Sequence, residues 1–423
     1  MDEIARLKKR LEKYEHPKTS RNSSVPPSKD ENRPSRNKSL RTGSSKKVGG
    51  QPGHKGHTLE FSAHPTKIIP LMADFCTHCG GDLHAIEPSK MEFRQVFDIP
   101  PIVPIVTEYQ SFSKVCNCGH CNKASFPVGV EAPVQYGSSV ESMVVYLSSR
   151  QYMPFARMQE YFTTVFQLPI SQGTIQNILE RMYRKALPFY IQLQQSIAQA
   201  TCVGGDETSV RINGKKGWLW TIQNKFFTFI HCSNNRGFAT LEALFPNGLP
   251  NTTIVHDAYA AWFKLLGKKH QLCLAHLLRD LNYFQELYPT CEWVTHLKDL
   301  FKQAIEWKNN PSSEMPDFKT EFDKLLEAPP NQSFSLIKPF VKRLIKHKES
   351  IFVFLNQDDV PADNNGSERA IRNAKVKTKV SGQFKTIENA QIFSVIRSVI
   401  DTLIKNNKPI LHSLQTIANL RPE

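Results

Sequence analysis

Three acidic residues stand in short motifs on separate parts of the 423-residue chain, and their residue types suit metal-dependent chemistry. Asp206 lies in a predicted strand, Asp257 follows a later predicted strand, and Glu368 lies in the first turns of a basic helix. Carboxylate oxygens are preferred ligands of Mg²⁺, and two such ions can clamp the attacking and leaving oxygens of a phosphoryl transfer. Each acid alone could instead be structural, as a surface residue, a helix cap or, for Glu368, an i+4 partner of Arg372.

A second set of candidate ligands consists of five clustered cysteines among the nine in the chain. Paired thiolates at short spacing hold tetrahedral Zn²⁺, and adjacent glycines permit the tight turn that such pairs need. We therefore predict a structural zinc site, with unliganded thiols as the alternative. Its ligands come from the pair Cys76 and Cys79 and from the cluster Cys116, Cys118 and Cys121, in which spacing alone does not assign the second pair.

The charge of the chain indicates the class of its partner. Lys and Arg number 54 against 39 Asp and Glu, which gives a formal net charge of +15. Residues 1–60 alone hold 15 basic and seven acidic residues. Such an excess favours binding to a polyanion such as nucleic acid. No apolar run approaches the ~18 residues of a membrane span, so we expect no membrane-embedded segment.

The cysteine usage also indicates the compartment. The odd number of cysteines and the lack of an apolar signal segment argue against a disulfide framework and for a reducing compartment. The sequence therefore predicts a cytoplasmic protein and argues against a small secreted scaffold.

The first elements along the chain are a short amphipathic helix at residues 1–16 and a basic flexible arm at residues 17–65. Ser, Pro, Asn, Gly, Lys and Arg dominate the arm, which leaves too little apolar surface to offset the entropy of ordering it. The helix could support self-association, although it is short for a coiled coil. A zinc-binding module follows at residues 66–132, and its residues 93–112 are predicted to form strands with prolines at their edges.

Residues 133–200 follow a helical pattern that contains a helix, a short turn and a second helix with Ser171 as its cap. The pattern resembles a helix-turn-helix, which would make this segment a DNA-binding domain. Helical hairpins with this spacing are also common for purely structural reasons. The polar face of the second helix offers four candidate DNA contacts: Thr174, Gln176, Asn177 and Arg181.

Two segments separated by an insertion are predicted to build the catalytic core. Residues 201–271 read as a strand meander, a helix and a further strand, and sites assemble at the carboxyl ends of such strands. The 111 positions from Asp257 to Glu368 are too many for a direct connection. They contain helical patterns at residues 272–288, 293–307, 318–326 and 336–347, so residues 272–360 are predicted to form an all-α insertion.

Further candidate residues lie on helices beside this core. Cys273 and His276 share one face of the first insertion helix, where packing near the active site is favoured over a second zinc site. Residues 361–423 complete the core with the basic helix and a C-terminal helix. The basic residues after Glu368 are predicted to meet DNA phosphates, and they are Arg369, Arg372, Lys375, Lys377 and Lys379.

Together these motifs resemble the insertion-sequence-66 (IS66) family of bacterial transposases, and the resemblance runs over nearly the whole chain. The acidic motifs that carry it are Gly205-Asp206-Glu207-Thr208, His256-Asp257-Ala258-Tyr259 and Asn364-Asn365-x-x-Glu368-Arg369. The remaining matching strings are residues 22–30, 49–57, 94–100, 106–109 and 132–137, the first cysteine pair, and Cys273-x2-His276.

The resemblance implies a multidomain α/β protein with a ribonuclease-H-like core that cuts DNA at transposon ends and joins the freed 3′-OH to target DNA. It implies that Asp206, Asp257 and Glu368 hold two Mg²⁺ or Mn²⁺ ions, and it favours Cys116 and Cys118 as the second zinc-binding pair. The implied partners are terminal inverted repeats, target DNA, further copies of the chain and small accessory proteins of the same element, at the bacterial nucleoid.

Two other functions remain compatible with the sequence. One is a non-catalytic, zinc-containing DNA-binding protein, against which the three intact acidic motifs weigh. The other is a metal-dependent nuclease that hydrolyses DNA without joining strands. The N-terminal helix is shorter than the family pattern, which puts dimerisation through a leucine zipper there in doubt.

Overall fold

The structure is a computed structural model that describes Gly53 and residues 58–88, 92–311 and 314–420. The chain divides into two compact units, one within Pro34–Val103 and the other containing all described residues from Pro104 onward. The predicted helix at residues 1–16 and most of the predicted arm at residues 17–65 lie outside the described residues. No helix in the described part of the chain is long and apolar enough to cross a membrane.

The described part of the cysteine-containing region has little regular structure. A single β-bridge joins Phe75 to Asp82, and a short antiparallel hairpin follows, with strands β1 (Ser113–Val115) and β2 (Cys121–Lys123). The strands predicted over residues 93–112 are absent, so that prediction was wrong. Pro100, Pro101 and Pro104 have no N–H group to donate to a β-ladder, which disfavours pairing along this segment.

Three helices precede the sheet: α1 (Ser138–Ser149), α2 (Phe155–Phe166) and α3 (Gln172–Ala198). Gln167 ends α2 in the left-handed conformation, and the Ser171 hydroxyl caps α3 by accepting from the Thr174 amide at 3.0 Å. The predicted pair of helices and its cap are therefore confirmed. Buried apolar residues of α3 recur at helical spacing, and they are Ile175, Ile178, Leu179 and Met182.

The central element is a five-stranded mixed sheet in the order β5-β4-β3-β6-β7. Its strands are β3 (Cys202–Ile212), β4 (Lys215–Gln223), β5 (Thr228–Ser233), β6 (Leu249–His256) and β7 (Gly267–Leu272). The meander β3-β4-β5 is antiparallel, whereas β6 and β7 run parallel to β3. Four of these strands match the predicted ones, and β7 was missed. The short helices α4 (Phe238–Leu244) and α5 (Ala260–Lys264) flank β6.

A helical insertion with its own apolar core follows β7. It contains α6 (Leu274–Leu287), α7 (Glu292–Asn309), α8 (Phe318–Glu327) and α9 (Lys338–Lys346), in agreement with the four predicted helices. Buried aromatic residues such as Phe301 and Phe322 pack inside it. The chain then returns to the sheet through α10 (Asn365–Ser381), α11 (Ile387–Lys405) and α12 (Ile410–Ala418).

Candidate active site

Strand β3 places Asp206 against helix α10. A Cβ atom on Gly204 would lie 2.6 Å from Asn364 Oδ1 and from the Ser367 hydroxyl, at the start of that helix. A Cβ atom on Gly205 would instead meet the ring of Trp262, on the other face of the sheet. Because side chains alternate along a strand, Asp206 shares the α10 face with Gly204.

Two contacts of Asn364 fix the start of α10. Its side-chain amide donates to the backbone carbonyl of Gly205 at 2.7 Å, and its backbone N–H donates to the Cys273 thiol at 3.2 Å. Cys273 in turn precedes α6, and its backbone N–H bonds the carbonyl of His256. These buried contacts tie β3, the end of β6, the start of α6 and the start of α10 together, one helical turn before Glu368.

Helix α6 also supplies the contacts of the Glu368 carboxylate. Arg279 Nη2 lies 3.3 Å and His276 Nε2 lies 3.7 Å from Glu368 Oε1, and about a fifth of the Glu368 side chain is exposed. Burial lowers the pKa of His276. The structure places His276 beside Glu368 and Cys273 beside the start of α10. Arg279 was missed, although its position three residues after His276 places both on one face of the helix.

The three acidic residues share one electrostatic environment. Burial, reinforced by the negative charges of Asp257, then Glu207 and less strongly Glu368, raises the pKa of Asp206 well above its usual range. Asp257 follows β6 directly, and its Oδ1 accepts from the Tyr259 amide at 2.9 Å. No three His, Cys, Asp or Glu side chains within the described ranges converge closely enough to hold a metal ion. The three acids are therefore close enough for their charges to interact, but their side chains do not converge on one metal position.

Glu207 and Arg236 form a second charged pair that sequence reasoning missed. Glu207 Oε1 accepts from Arg236 Nε at 3.0 Å and from Nη2 at 2.8 Å, and the Trp262 indole donates to Oε2 at 3.0 Å. Burial, with the charge of Asp257, raises the pKa of Glu207 to about 7. The Arg236 guanidinium also lies over the Tyr259 ring at 4.1 Å. The pair therefore anchors the segment that follows Asp257.

A cavity of about 260 Å³ opens beside Asp257, between the core and the insertion. Arg236 and Tyr259 line it from the core, and Asp280 and Arg343 line it from helices α6 and α9. Arg343 Nη2 and Asp280 Oδ2 are 2.5 Å apart, so the insertion contributes an ion pair to the wall of this cavity.

The basic residues of α10 fall on different sides of the helix. Arg372, Lys375 and Lys379 follow Glu368 by four, seven and eleven positions, so they continue its face. Lys377 follows it by nine positions and lies on the opposite side, where burial lowers its pKa. Arg369 is exposed about a quarter of a turn away. The predicted set therefore separates into a track beside Glu368 and residues outside that track.

The polar face of α3 is engaged within the protein. Gln176 Nε2 donates to Asn389 Oδ1 at 2.8 Å, and Arg181 donates through Nε and Nη2 to the largely buried carboxylate of Glu141. Thr174 contacts the capping hydroxyl of Ser171. Of the four candidate DNA contacts, Asn177 is the exposed one. Helix α3 therefore uses much of this face to pack against its neighbours.

Both cysteine clusters form tight turns that end at a glycine with positive φ. In the first turn, Cys76 donates to the Gly81 carbonyl at 2.8 Å and accepts from the Gly80 amide at 2.9 Å. In the second, Cys116 donates to the His120 carbonyl at 2.9 Å and accepts from the Gly119 amide at 2.8 Å. Gly80 has φ 75° and Gly119 has φ 83°, values that favour glycine.

Backbone N–H groups also polarise one thiol in each turn. The pKa of Cys76 is lowered by the amides of Cys79 and His78, and that of Cys116 by the amide of Cys118. Cys118 precedes its positive-φ glycine as Cys79 does, whereas Cys121 begins strand β2. The two turns belong to different compact units, and each by itself presents two cysteines in the manner of a zinc-binding turn.

Comparison with known families gives three matches. The family described as Transposase IS66 family matches residues 133–392, which is more than half of the chain. The zinc-finger binding domain of transposase IS66 matches residues 73–122, and a family of unknown function (DUF6444) matches residues 1–60. No curated protein matches the chain.

Proposed function

The chain belongs to the IS66 family of transposases, and from that premise we propose that Asp206, Asp257 and Glu368 form its catalytic site. Membership makes the protein an enzyme that cleaves and joins DNA, and its zinc-finger domain indicates zinc binding. The proposed reaction is cleavage at insertion-sequence ends followed by joining of the 3′-OH to target DNA. The observation that carries this proposal is the set of buried hydrogen bonds through which Asn364 and Cys273 join β3, the end of β6 and the start of α10, the three elements that position these acids.

The proposed core is ribonuclease-H-like. Its support is the strand order, in which β3 lies at the centre of the sheet with an antiparallel meander on one side and two parallel strands on the other. Asp206 lies on the first strand of this sheet, Asp257 directly follows the fourth, and Glu368 lies on a helix after the insertion. These are the positions that the family resemblance implies.

The donor set suits divalent metal ions. Asp206, Asp257 and Glu368 supply hard oxygen atoms, and a buried carboxylate with acidic neighbours needs positive charge to ionise. Two Mg²⁺ or Mn²⁺ ions, when bound, would activate the attacking oxygen and stabilise the leaving oxygen. The chain's own contribution is positional, because Asn364 and Cys273 fix the helix start that carries Glu368.

A direct experiment separates this function from its rivals. Purified protein is incubated with terminal inverted-repeat DNA and either Mg²⁺ or Mn²⁺, and the products are separated on denaturing gels. We expect nicks that leave free 3′-OH ends, followed by strand-transfer products. Nicks without transfer products would indicate a nuclease, and DNA binding with no nicks under either ion would indicate a non-catalytic DNA-binding protein.

Lys375 and Lys377 provide a matched pair that tests the phosphate track on α10. Lys375→Gln is expected to weaken DNA binding, because one phosphate contact is lost. The magnitude of the slope of log K against log salt should fall by about 1 for the same reason. Lys377→Gln should leave both quantities unchanged, since Lys377 lies on the other side of the helix. DNA titrations at several salt concentrations measure both, and equal effects of the two changes would contradict the proposed track.

Zinc content tests the cysteine assignment. We propose Cys76, Cys79, Cys116 and Cys118 as ligands, supported by the similar turns around the two pairs. Cys76→Ser is expected to lower the bound zinc from about one ion per chain to nearly none, whereas Cys121→Ser should retain it. Metal analysis of the purified variants measures this. Loss of zinc from Cys121→Ser alone would assign the site to the competing cysteine.

A further inference from the structure

Helix α9 of the insertion carries a row of exposed lysines. Lys338, Lys342 and Lys346 follow one another at four-residue intervals, and all three are exposed. Four helical residues rise about 6 Å, so the row extends over about 12 Å of one helix side. We call these three residues the α9 lysine stripe. No acidic residue occurs from Lys338 to Lys348. The opposite, apolar side of the helix, with Phe340, Val341 and Leu344, is buried in the insertion core.

The stripe is not neutralised by ion pairing. Across the described ranges, none of its three lysines forms a salt bridge, whereas Lys302 and Lys319 of the same insertion lie 3.5 Å and 3.1 Å from carboxylate oxygens. A row of unpaired like charges repels itself. The row therefore has a positive potential, and a bound polyanion would reduce the repulsion between its lysines.

Two contacts fix α9 beside the candidate active site. Arg343, which lies on the helix surface between the stripe and the buried side, pairs with Asp280 and lines the cavity that Asp257 also lines. At the end of the helix, the His347 ring stacks on Phe263 of α5 with 3.8 Å between ring centres and 15° between planes. The stripe thus occupies a fixed position next to the cavity, which is what a surface that orients a substrate requires.

We propose that the α9 lysine stripe binds the phosphate backbone of the duplex DNA next to the bond that is cut. A duplex carries one negative charge per about 1.7 Å of its axis, so it offers several phosphates along the stripe. Lysines in this arrangement hold phosphates without reading sequence, so the stripe orients the DNA and does not select it. Binding of DNA phosphates by the stripe rests on DNA as the partner of this family, and its place beside the cut bond rests on the proposed active site at Asp257.

The test compares two triple variants of the full chain with the same change of charge. The stripe variant is K338Q/K342Q/K346Q, and the matched control is K302Q/K319Q/K324Q, whose exposed lysines lie near carboxylates in the same insertion. Binding to a fluorescent duplex that joins an inverted-repeat end to its flanking DNA is titrated at several salt concentrations in buffer without Mg²⁺ or Mn²⁺, which prevents cleavage and leaves the proposed zinc in place. Thermal unfolding and circular dichroism of both variants verify that they fold.

The two variants are expected to differ in their salt dependence. In the stripe variant, log K should fall less steeply with log salt, with the magnitude of the slope reduced by about 2 to 3. Its Kd at low salt should rise by at least about tenfold. The control should keep the slope of the unaltered protein. Equal changes in both variants would show that only total charge matters, and no change in the stripe variant would show that DNA does not contact α9. Either outcome overturns the inference, and neither bears on Asp206, because binding is measured without the Mg²⁺ or Mn²⁺ that cleavage requires.

Discussion

Asp206→Asn is expected to abolish strand cleavage, with a rate at least about 10³-fold lower, while DNA binding stays within about twofold of the unaltered protein. The carboxylate supplies metal-binding charge worth several kcal/mol in the transition state, and each 1.36 kcal/mol is a factor of about ten in rate. The proposed phosphate contacts, which should dominate binding, lie elsewhere, on helices α9 and α10. Cleavage of end-labelled inverted-repeat DNA in Mg²⁺ and a binding titration without Mg²⁺ or Mn²⁺ measure the two quantities.

The same change should stabilise the metal-free protein. Asp206 is largely removed from solvent and lies beside Asp257 and Glu207, so its ionised form is disfavoured in the folded state. Because the folded-state pKa is raised above the unfolded value, the contribution of this group to stability is complete at acid pH and is lost as pH rises through the raised pKa. Without Mg²⁺ or Mn²⁺, Asn at this position should therefore raise the midpoint of thermal unfolding, and the difference should grow from acid to neutral pH.

Asp401→Asn is the matched control for this effect. Asp401 is also buried, but its Oδ1 lies 2.5 Å from Nη2 of Arg397, a side chain with no exposed surface. Removing one partner of a buried pair leaves the other charge uncompensated, which costs about 3–5 kcal/mol. Asp401→Asn should therefore lower the unfolding midpoint where Asp206→Asn raises it. Retained cleavage by Asp206→Asn, or the same loss of stability in both variants, would contradict the catalytic assignment of Asp206.

The sequence predicted the parts of the site that depend on local pattern. Alternation and turn residues indicate the strand that carries Asp206 and the strand before Asp257, and helical periodicity indicates the insertion. Strand β7 was missed because its residues, Gly267–Leu272, include no β-branched residue and no Phe, Tyr or Trp, and it becomes a strand by pairing with β6, a contact that local pattern does not encode. The prediction of strands over residues 93–112 was wrong because apolar residues alone do not supply a neighbouring strand to pair with.

Side-chain partners were harder to predict than positions. Arg279 meets Glu368 across 89 residues of chain and Gln176 meets Asn389 across 213, so neither contact has a local signal. A polar helix face in a sequence is compatible with DNA contact or with packing inside the protein. In the structure Gln176 packs inside the protein, where it bonds Asn389. The distinction between Lys375 and Lys377 was accessible from the sequence, because 100° per residue already places them on different sides of a helix that begins near Glu368.

Gly204→Ala is expected to reduce cleavage by about 10²-fold although the residue carries no chemistry. The added Cβ would lie 2.6 Å from both Asn364 Oδ1 and the Ser367 hydroxyl, a distance that forces something to move. Asn364 is held by Gly205 and Cys273, so we expect part of the movement to be taken up at the start of α10, which carries Glu368. Misplacement of a reacting group by about 1 Å costs about 10²-fold in rate, and the crowding costs about 1–3 kcal/mol of stability.

The control for this prediction is Gly137→Ala. Gly137 precedes α1 with φ −76°, and a Cβ atom there would meet nothing within 4 Å, so both cleavage and stability should be nearly unchanged. Measuring cleavage under conditions where DNA binding and circular dichroism match the unaltered protein separates displacement of Glu368 from unfolding. If Gly204→Ala cleaves at the normal rate while it stays folded, the start of α10 does not set the position of Glu368. The close approach of α10 to β3 would then serve packing alone.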